Sequence, residues 1–148
     1  MPLVYSTGRS LFDTKHEVLV NTINCAGAMG KGVALEFRTR FPEIIPEYKK
    51  LCERGYFSPG RCHWWKMETK GLAGILMFAT KDHWRDPSRL EWIETGCQDM
   101  RRIILQRDLE SVGTPWMGCG NGGLDRNNVR PMLEKYLGDL DCTVEVCG

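Results

Sequence analysis

The sequence predicts an α/β fold, a sheet covered by helices on both faces. Three observations predict it. Short strand-like runs alternate with helical runs along the chain; two glycine-rich loops each follow a strand and feed a helix; and no repeat, low-complexity tract or long linker interrupts the alternation. At 148 residues the chain reads as one domain, 1–148, long enough to bury a single core.

The elements follow in order. Leu3 to Tyr5 and Glu17 to Asn21 read as short strands. Gly30 to Phe41 reads as a helix, because Val33, Phe37 and Phe41 recur at four-residue spacing on one face. Pro42 stops it, and a second helical run, about Pro46 to Arg54, ends at Gly55. Arg61 to Met67 and Ala73 to Thr80 are β-rich runs separated by a turn at Lys70–Gly71. "SRLEWIE" opens the longest helix: Ser88 followed by Glu91 is a capping-box signature, and Leu90, Ile93, Cys97, Met100 and Ile104 form an apolar stripe. Val112 to Met117 reads as a strand and Asn128 to Leu137 as a helix, with Pro131 tolerable only in its first turn. Thr143 to Val146 closes the chain as a strand.

Composition narrows the function classes. The chain is 42% hydrophobic and 26% charged with a formal net charge of +1, so composition argues neither for a nucleic-acid-coating protein nor for a membrane-surface one. A nucleic acid gripped locally stays open. No apolar run reaches the roughly 20 residues of a membrane span, and "MPLVYSTGRSLF" lacks a signal-peptide core. The seven cysteines are odd in number and none has C-x-x-C spacing, which fits reduced thiols in the cytoplasm. With three scattered histidines (16, 63 and 83), no structural metal site is expected.

In open α/β sheets, ligands bind beyond the carboxyl ends of the strands. That rule selects "NCAGAMGKG", "ATKDHW" and "GCGNGGLDRN". Glycine lets a ligand approach the backbone, and helix N-termini favour anions, so two glycine loops at one rim suggest a diphosphate. The first loop is not a familiar nucleotide motif. Gly30-Lys31 is followed by Gly32, not the Ser or Thr of a P-loop, and the first loop holds no G-x-G-x-x-G fingerprint. A lone glycine loop is equally a tight turn, Lys81 equally a solvated surface lysine, and Asp125 equally a helix-start residue. As a pair, Lys81 could attack an anomeric carbon while Asp125 moves protons. Trp64, Trp65, Trp84, Trp92 and Trp116 read mostly as core or rim, although Trp84 follows Lys81 closely enough to line a site.

Three segments carry a resemblance to the macrodomain, an ADP-ribose-binding module, over nearly the whole chain. "VNTINCAGAMGKGVALEFRTRFP" is similar to the first substrate loop of the class that includes the terminal ADP-ribose glycohydrolase and the DarG antitoxins. "FATKDHWRDPSRLEWIETG" resembles the lysine-bearing segment of DarG-type proteins, and "PWMGCGNGGLDRNNVRP" their phosphate-cradling loop. The resemblance implies a three-layer α/β/α fold around a mixed, mostly parallel sheet.

It also implies roles. Asn21 and Asn24, with the loop from Ala26 through Ala28, Met29, Gly30 and Lys31 to Gly32 and Val33, would hold the distal ribose and approach the diphosphate. Gly118, Cys119, Gly120, Asn121, Gly122, Gly123 and Leu124 would cradle its other side, with Thr80 and Trp84 beside the lysine. Lys81 would attack C1″ of the distal ribose, and Asp125 would assist release of the lysine adduct. The lysine must be neutral to attack, so its pKa has to fall through partial burial or a cationic neighbour. Arg85 and Arg126 are candidates for that charge or for a DNA phosphate contact. Where macrodomains usually carry an acidic residue that reads adenine, "TGRSLF" places Ser10, so Ser10 or backbone groups of Leu11 and Phe12 are expected there.

The function implied is an ADP-ribosyl glycohydrolase acting on ADP-ribosylated thymidine in DNA, or on ADP-ribosylated protein carboxylates. A non-catalytic ADP-ribose reader and an ADP-ribose-1″-phosphate phosphatase are the alternatives. No metal or other cofactor, a monomeric state and a toxin ADP-ribosyltransferase counterpart are expected. DarG antitoxins carry a second domain that restrains the toxin, so either a trimmed chain or a stand-alone macrodomain fits.

Overall fold

The structure is a computed structural model that describes residues 3–68 and 71–148. Lys70 of the expected Lys70–Gly71 turn lies outside the described residues. Among the described residues, six strands form one sheet: β1 (Leu3–Ser6), β2 (Val18–Asn24), β3 (Cys62–Lys66), β4 (Gly74–Lys81), β5 (Ser111–Pro115) and β6 (Thr143–Cys147). Their order is β1-β6-β5-β2-β4-β3. All neighbours pair in parallel except β3, which runs antiparallel to β4 at one edge. Four helices cover the sheet: α1 (Gly32–Arg40), α2 (Ile45–Glu53), α3 (Leu90–Arg107) and α4 (Arg126–Leu137).

The period-two alternation of strand side chains divides the core into two layers. Val18 and Val20 of β2, Leu76 and Phe78 of β4 and Val144 and Val146 of β6 pack with Ile93, Cys97 and Met100 of α3 and Val129 and Leu133 of α4. On the other face, Leu19 and Ile23, Ile75, Met77 and Ala79, and Cys147 pack with Phe37 of α1 and Tyr48 of α2. Fully burying one such Phe or Leu contributes about 1.5–3 kcal/mol. Helices on both faces leave the carboxyl ends of β2, β4, β5 and β6 as one rim, and the site is built there.

Three local expectations are corrected. Ser88 does not cap α3: the N-cap is Arg89, which makes no side-chain capping bond. The Ser88 N–H instead donates to the Gly122 carbonyl at 2.9 Å, tying the start of α3 to the second glycine loop. β5 ends at Pro115, and Trp116 and Met117 already belong to the turn into that loop. Finally, α4 starts at Arg126, so Pro131 falls in its second turn. There it forfeits a hydrogen bond to the Asn127 carbonyl, a cost borne near the helix start.

Candidate functional site

The first glycine loop is shaped by Asn24. Its Oδ1 accepts the Ala26 N–H at 3.0 Å and the Ala28 N–H at 3.4 Å, while its Nδ2 donates to the Ala28 carbonyl at 2.7 Å. The buried Tyr48 hydroxyl fixes the side chain from below, donating to the Asn24 carbonyl and Oδ1 at 2.7 and 3.0 Å. The loop then enters α1 through Lys31, an N-cap that makes no side-chain capping bond. Lysine is a poor choice there: it offers no acceptor, and its charge opposes the positive end of the helix dipole. The first N–H groups of α1 therefore await an outside acceptor, and Gly32, Val33 and Ala34 face the cleft. Helix N-terminal N–H groups of this kind favour an anion.

The second loop spends some backbone donors on itself and keeps others. Cys119 N–H donates to the Trp116 carbonyl, Gly123 N–H to Gly120 and Leu124 N–H to Gly118, at 3.3, 3.2 and 2.9 Å. Among the described residues, the N–H groups of Gly120, Asn121 and Gly122 have no acceptor in the chain. The two loops come close together. A Cβ on Gly32, whose φ is +58°, would lie 3.0 Å from Asn121 Nδ2, so a side chain there would be strained and crowded at once.

Lys81 ends β4 at an irregularity. Ile23 of β2 pairs with Ala79, but Asn24 pairs with Lys81, so β4 carries an extra residue at Thr80. The Cys25 N–H then contacts both the Lys81 and Asp82 carbonyls, at 3.1 and 3.0 Å. Such bulges re-aim side chains at strand ends. The Lys81 ammonium donates to the Trp84 carbonyl at 3.3 Å. Burial lowers its pKa below the usual 10.5, the Lys31 charge lowers it further, and Asp86 partly opposes both. Burial is the larger cause, and the cationic neighbour that adds to it is Lys31, not Arg85 or Arg126. The thiols nearby are no rivals as nucleophiles: burial pushes Cys25 up to about 12 and raises Cys119 as well.

These pieces line one cleft of about 670 Å³. Asn24, Ala28, Gly30, Lys31, Gly32 and Val33 face it from the first loop, Thr80, Lys81 and Trp84 from the β4 end, and Gly118, Cys119, Gly120, Asn121 and Gly122 from the second loop. Among its described lining residues three are cationic, Lys31, Lys81 and Arg126, and none is acidic. That balance suits a dianionic diphosphate.

Several expected residues, Ala26 among them, do not line it. Asn21 is fully buried beneath the cleft, its Nδ2 against the sulfurs of Met29 and Met77 and its Oδ1 without a partner. Met29 is buried with it. Gly123 and Leu124 close the second loop through the bonds given above. Ser10 caps a short 3₁₀ turn, Leu11–Asp13, by accepting from the Phe12 N–H at 3.2 Å. Leu11 is buried, and Phe12 packs edge-on against Phe37 beneath the Arg40 guanidinium. Asp125 is the N-cap of α4, its carboxylate accepting the Asn127 N–H at 2.8 Å.

The cleft also includes residues that sequence reasoning did not assign to the ligand: Thr22, Ile23, Ala34, Pro115, Trp116, Cys147 and Gly148. Pro115, Trp116, Cys147 and Gly148 extend it past the ends of β5 and β6. Arg126, proposed for its charge, joins them by donating to the Gly148 carbonyl at 2.7 Å and lying over the Trp116 ring.

Comparison with known proteins gives the lineage. The family model described as Macro domain matches residues 20–133. The chain belongs to the macrodomain family. It is 40% identical to a DNA ADP-ribosyl glycohydrolase of Mycobacterium tuberculosis over 148 residues, an alignment covering 96% of this chain and 41% of that protein. The macrodomain thus spans about two fifths of the length of that relative. In three dimensions it is similar to the macrodomain of Mycobacterium tuberculosis DarG, with a TM-score of 0.93 and 38% identity, covering 98% of this chain and 96% of that one. It also resembles Thermosipho africanus DarTG in complex with ADP-ribose, with a TM-score of 0.86 and 26% identity over 97% of this chain and 41% of that one. The expected three-layer macrodomain fold is therefore the fold found.

Proposed function

We propose that this macrodomain is an ADP-ribosyl glycohydrolase that binds ADP-ribose and removes it from a modified macromolecule, with ADP-ribosylated thymidine in DNA as its first substrate. The observation that carries the reading is Lys81, a partly exposed lysine of depressed pKa set in a cationic cleft between two glycine loops with free N–H groups. The names of its relatives, DNA ADP-ribosyl glycohydrolases, point the same way.

The proposed steps use the chain's own groups. The N–H groups at the start of α1 and those of Gly120, Asn121 and Gly122 grip the diphosphate, and that binding energy places C1″ against Lys81. The neutral amine forms a bond to C1″ as the bond to the modified group breaks. The departing group leaves with the electron pair and takes up the proton that the attacking amine sheds. Water then displaces the amine, its hydroxyl going to C1″ and its proton to Lys81, releasing ADP-ribose. The scheme draws on no metal or other cofactor, and Asp125, held as a helix cap, is given no step in it. A monomer acting in the cytoplasm opposite a toxin ADP-ribosyltransferase is the setting proposed; the transferase is suggested by a relative named as a DNA ADP-ribosyl transferase-DNA ADP-ribosyl glycohydrolase fusion protein.

The test pairs wild type with Lys81→Ala on a single-stranded oligonucleotide carrying ADP-ribosylated thymidine, with ADP-ribose binding followed by calorimetry. Turnover is expected to fall on the order of 10³-fold or more while the Kd for ADP-ribose changes little. A wild type that binds ADP-ribose yet cleaves neither DNA-, protein- nor phosphate-linked substrates would be a reader.

A further inference from the structure

Trp84 is out of keeping with its surroundings. It is 46% exposed, one of three large hydrophobic side chains left open among the described residues, and of the three it alone lines the cleft. Nothing in the core requires it there. An exposed indole at the mouth of a site offers a large, rigid, apolar surface whose NH can stay wet.

Its position is fixed by a tight turn. The Trp84 carbonyl accepts from Lys81 Nζ at 3.3 Å, the Asp86 N–H donates to the His83 carbonyl at 3.1 Å, and the Arg85 N–H donates to His83 Nδ1 at 3.2 Å. The His83 ring braces the indole with centroids 5.1 Å apart, and the Arg85 guanidinium lies 4.7 Å from the ring centre. The indole is thus held with little rotamer freedom to lose on binding. Its backbone is hydrogen-bonded to the amine proposed to attack C1″, so it borders the place from which the modified group departs.

The opposite end of the cleft, at Trp116 and Arg126, lies across the ends of β2 and β5 from Lys81. An extended diphosphate ligand whose C1″ meets Lys81 therefore runs away from Trp84. What remains beside Trp84 is the group attached to C1″. A planar nucleobase stacks on an aromatic ring, and an arginine packed against that ring adds positive charge for the neighbouring backbone.

We infer that Trp84, braced by His83 and Arg85, is a specificity-determining residue that stacks on the nucleobase joined to C1″, and does not contact ADP-ribose. This rests on the glycohydrolase reading. It divides the cleft in two: the glycine loops hold ADP-ribose, and Trp84 selects what ADP-ribose is attached to.

The experiment measures binding in Lys81→Gln protein, which keeps a donor near the Trp84 carbonyl but lacks the nucleophile. Kd is compared for ADP-ribose and for the single-stranded oligonucleotide carrying ADP-ribosylated thymidine. The oligonucleotide is expected to bind about 5- to 150-fold tighter, the range that one stacked base contributes. Adding Trp84→Ala should erase that margin and leave the Kd for ADP-ribose unchanged, while Trp84→Phe should keep most of it. The inference is overturned if the oligonucleotide binds no tighter than ADP-ribose, if the margin survives Trp84→Ala, or if both ligands weaken equally. The glycohydrolase reading is decided separately, by whether wild type releases ADP-ribose from the same oligonucleotide.

Discussion

Lys31 and Lys81 face one cleft from different elements, and the charge of Lys31 adds to burial in lowering the pKa of Lys81. Lys31 is thereby placed to act twice, as a cation near a bound diphosphate and as the neighbour that favours a neutral Lys81 amine.

A pH profile separates the two roles. The group that must lose its proton is Lys81, so turnover at saturating substrate should rise with pH and level off below the ordinary lysine value of 10.5. Lys31→Met removes a cause that lowers the pKa, so the rising limb should move to higher pH. Asp86→Asn removes the cause that raises it, so the limb should move to lower pH. Lys31→Met should also weaken ADP-ribose about 5- to 10-fold by removing one charged contact. Profiles that coincide with wild type in both variants would show that a different group limits the rate.

Gly120 and Gly122 allow a paired test of the second loop. A Cβ on Gly120 meets nothing within 4 Å, and the residue faces the cleft. Gly120→Ala should therefore fold normally, within about 0.5 kcal/mol, and still weaken ADP-ribose roughly 10-fold by crowding the diphosphate. A Cβ on Gly122 would lie 2.5 Å from Ser88 Oγ and collide with the Gly118 carbonyl. Gly122→Ala should cost about 1–3 kcal/mol of stability as well as affinity. Thermal melts beside calorimetry check both; equal melting temperatures for the two variants would contradict the packing described here.

The sequence made these loops legible because glycine clusters after strand-like runs are a local signal. It did not disclose which strand ends meet. Pro115, Trp116 and Cys147 reach the cleft because the order β6-β5-β2-β4 sets distant segments side by side. The position of Asn21 below the cleft is hidden for a related reason. Every residue around it on β2 is apolar or short and polar, so the pattern does not say which face it takes, and it packs under the floor against Met29 and Met77. The extra residue at Thr80 that turns Lys81 has no sequence signature either. Ser88 shows the limit of a local rule: despite a sound capping signature its Oγ is buried without a partner, and its N–H joins the start of α3 to the Gly122 carbonyl of the second loop.

Asp125 offers a test of cap against catalyst. Its carboxylate caps α4 through the Asn127 N–H, and it does not line the cleft. Asparagine preserves that bond, so Asp125→Asn should keep both stability and turnover within a few-fold. Asp125→Ala loses the cap and should cost about 1 kcal/mol in melting experiments. A large loss of turnover in Asp125→Asn at unchanged stability would return the carboxylate to the chemistry.

Away from the cleft, Glu145 gives acid stability one identifiable contributor. It lies on β6 at 6% exposure, paired to His16 Nε2 at 2.7 Å and to an Arg9 guanidinium nitrogen at 3.1 Å. Burial alone would raise its pKa, but hydrogen bonds from Ser6 and His16 and the charges of Arg9 and His16 outweigh it and hold the carboxyl below the usual 4.5. A carboxylate whose folded pKa is depressed stabilises the fold above its unfolded pKa, and that contribution disappears as pH falls through the folded value. The wild type should therefore lose stability below about pH 4.5 in part through this residue. Glu145→Gln should cost about 1–3 kcal/mol near neutral pH, the worth of hydrogen bonds to a charged group. It should also show a shallower decline in acid. Urea melts at pH 7 and across the acid range would decide it: parallel stability curves for the two proteins would mean that the Arg9–Glu145–His16 cluster contributes no pH-dependent stability.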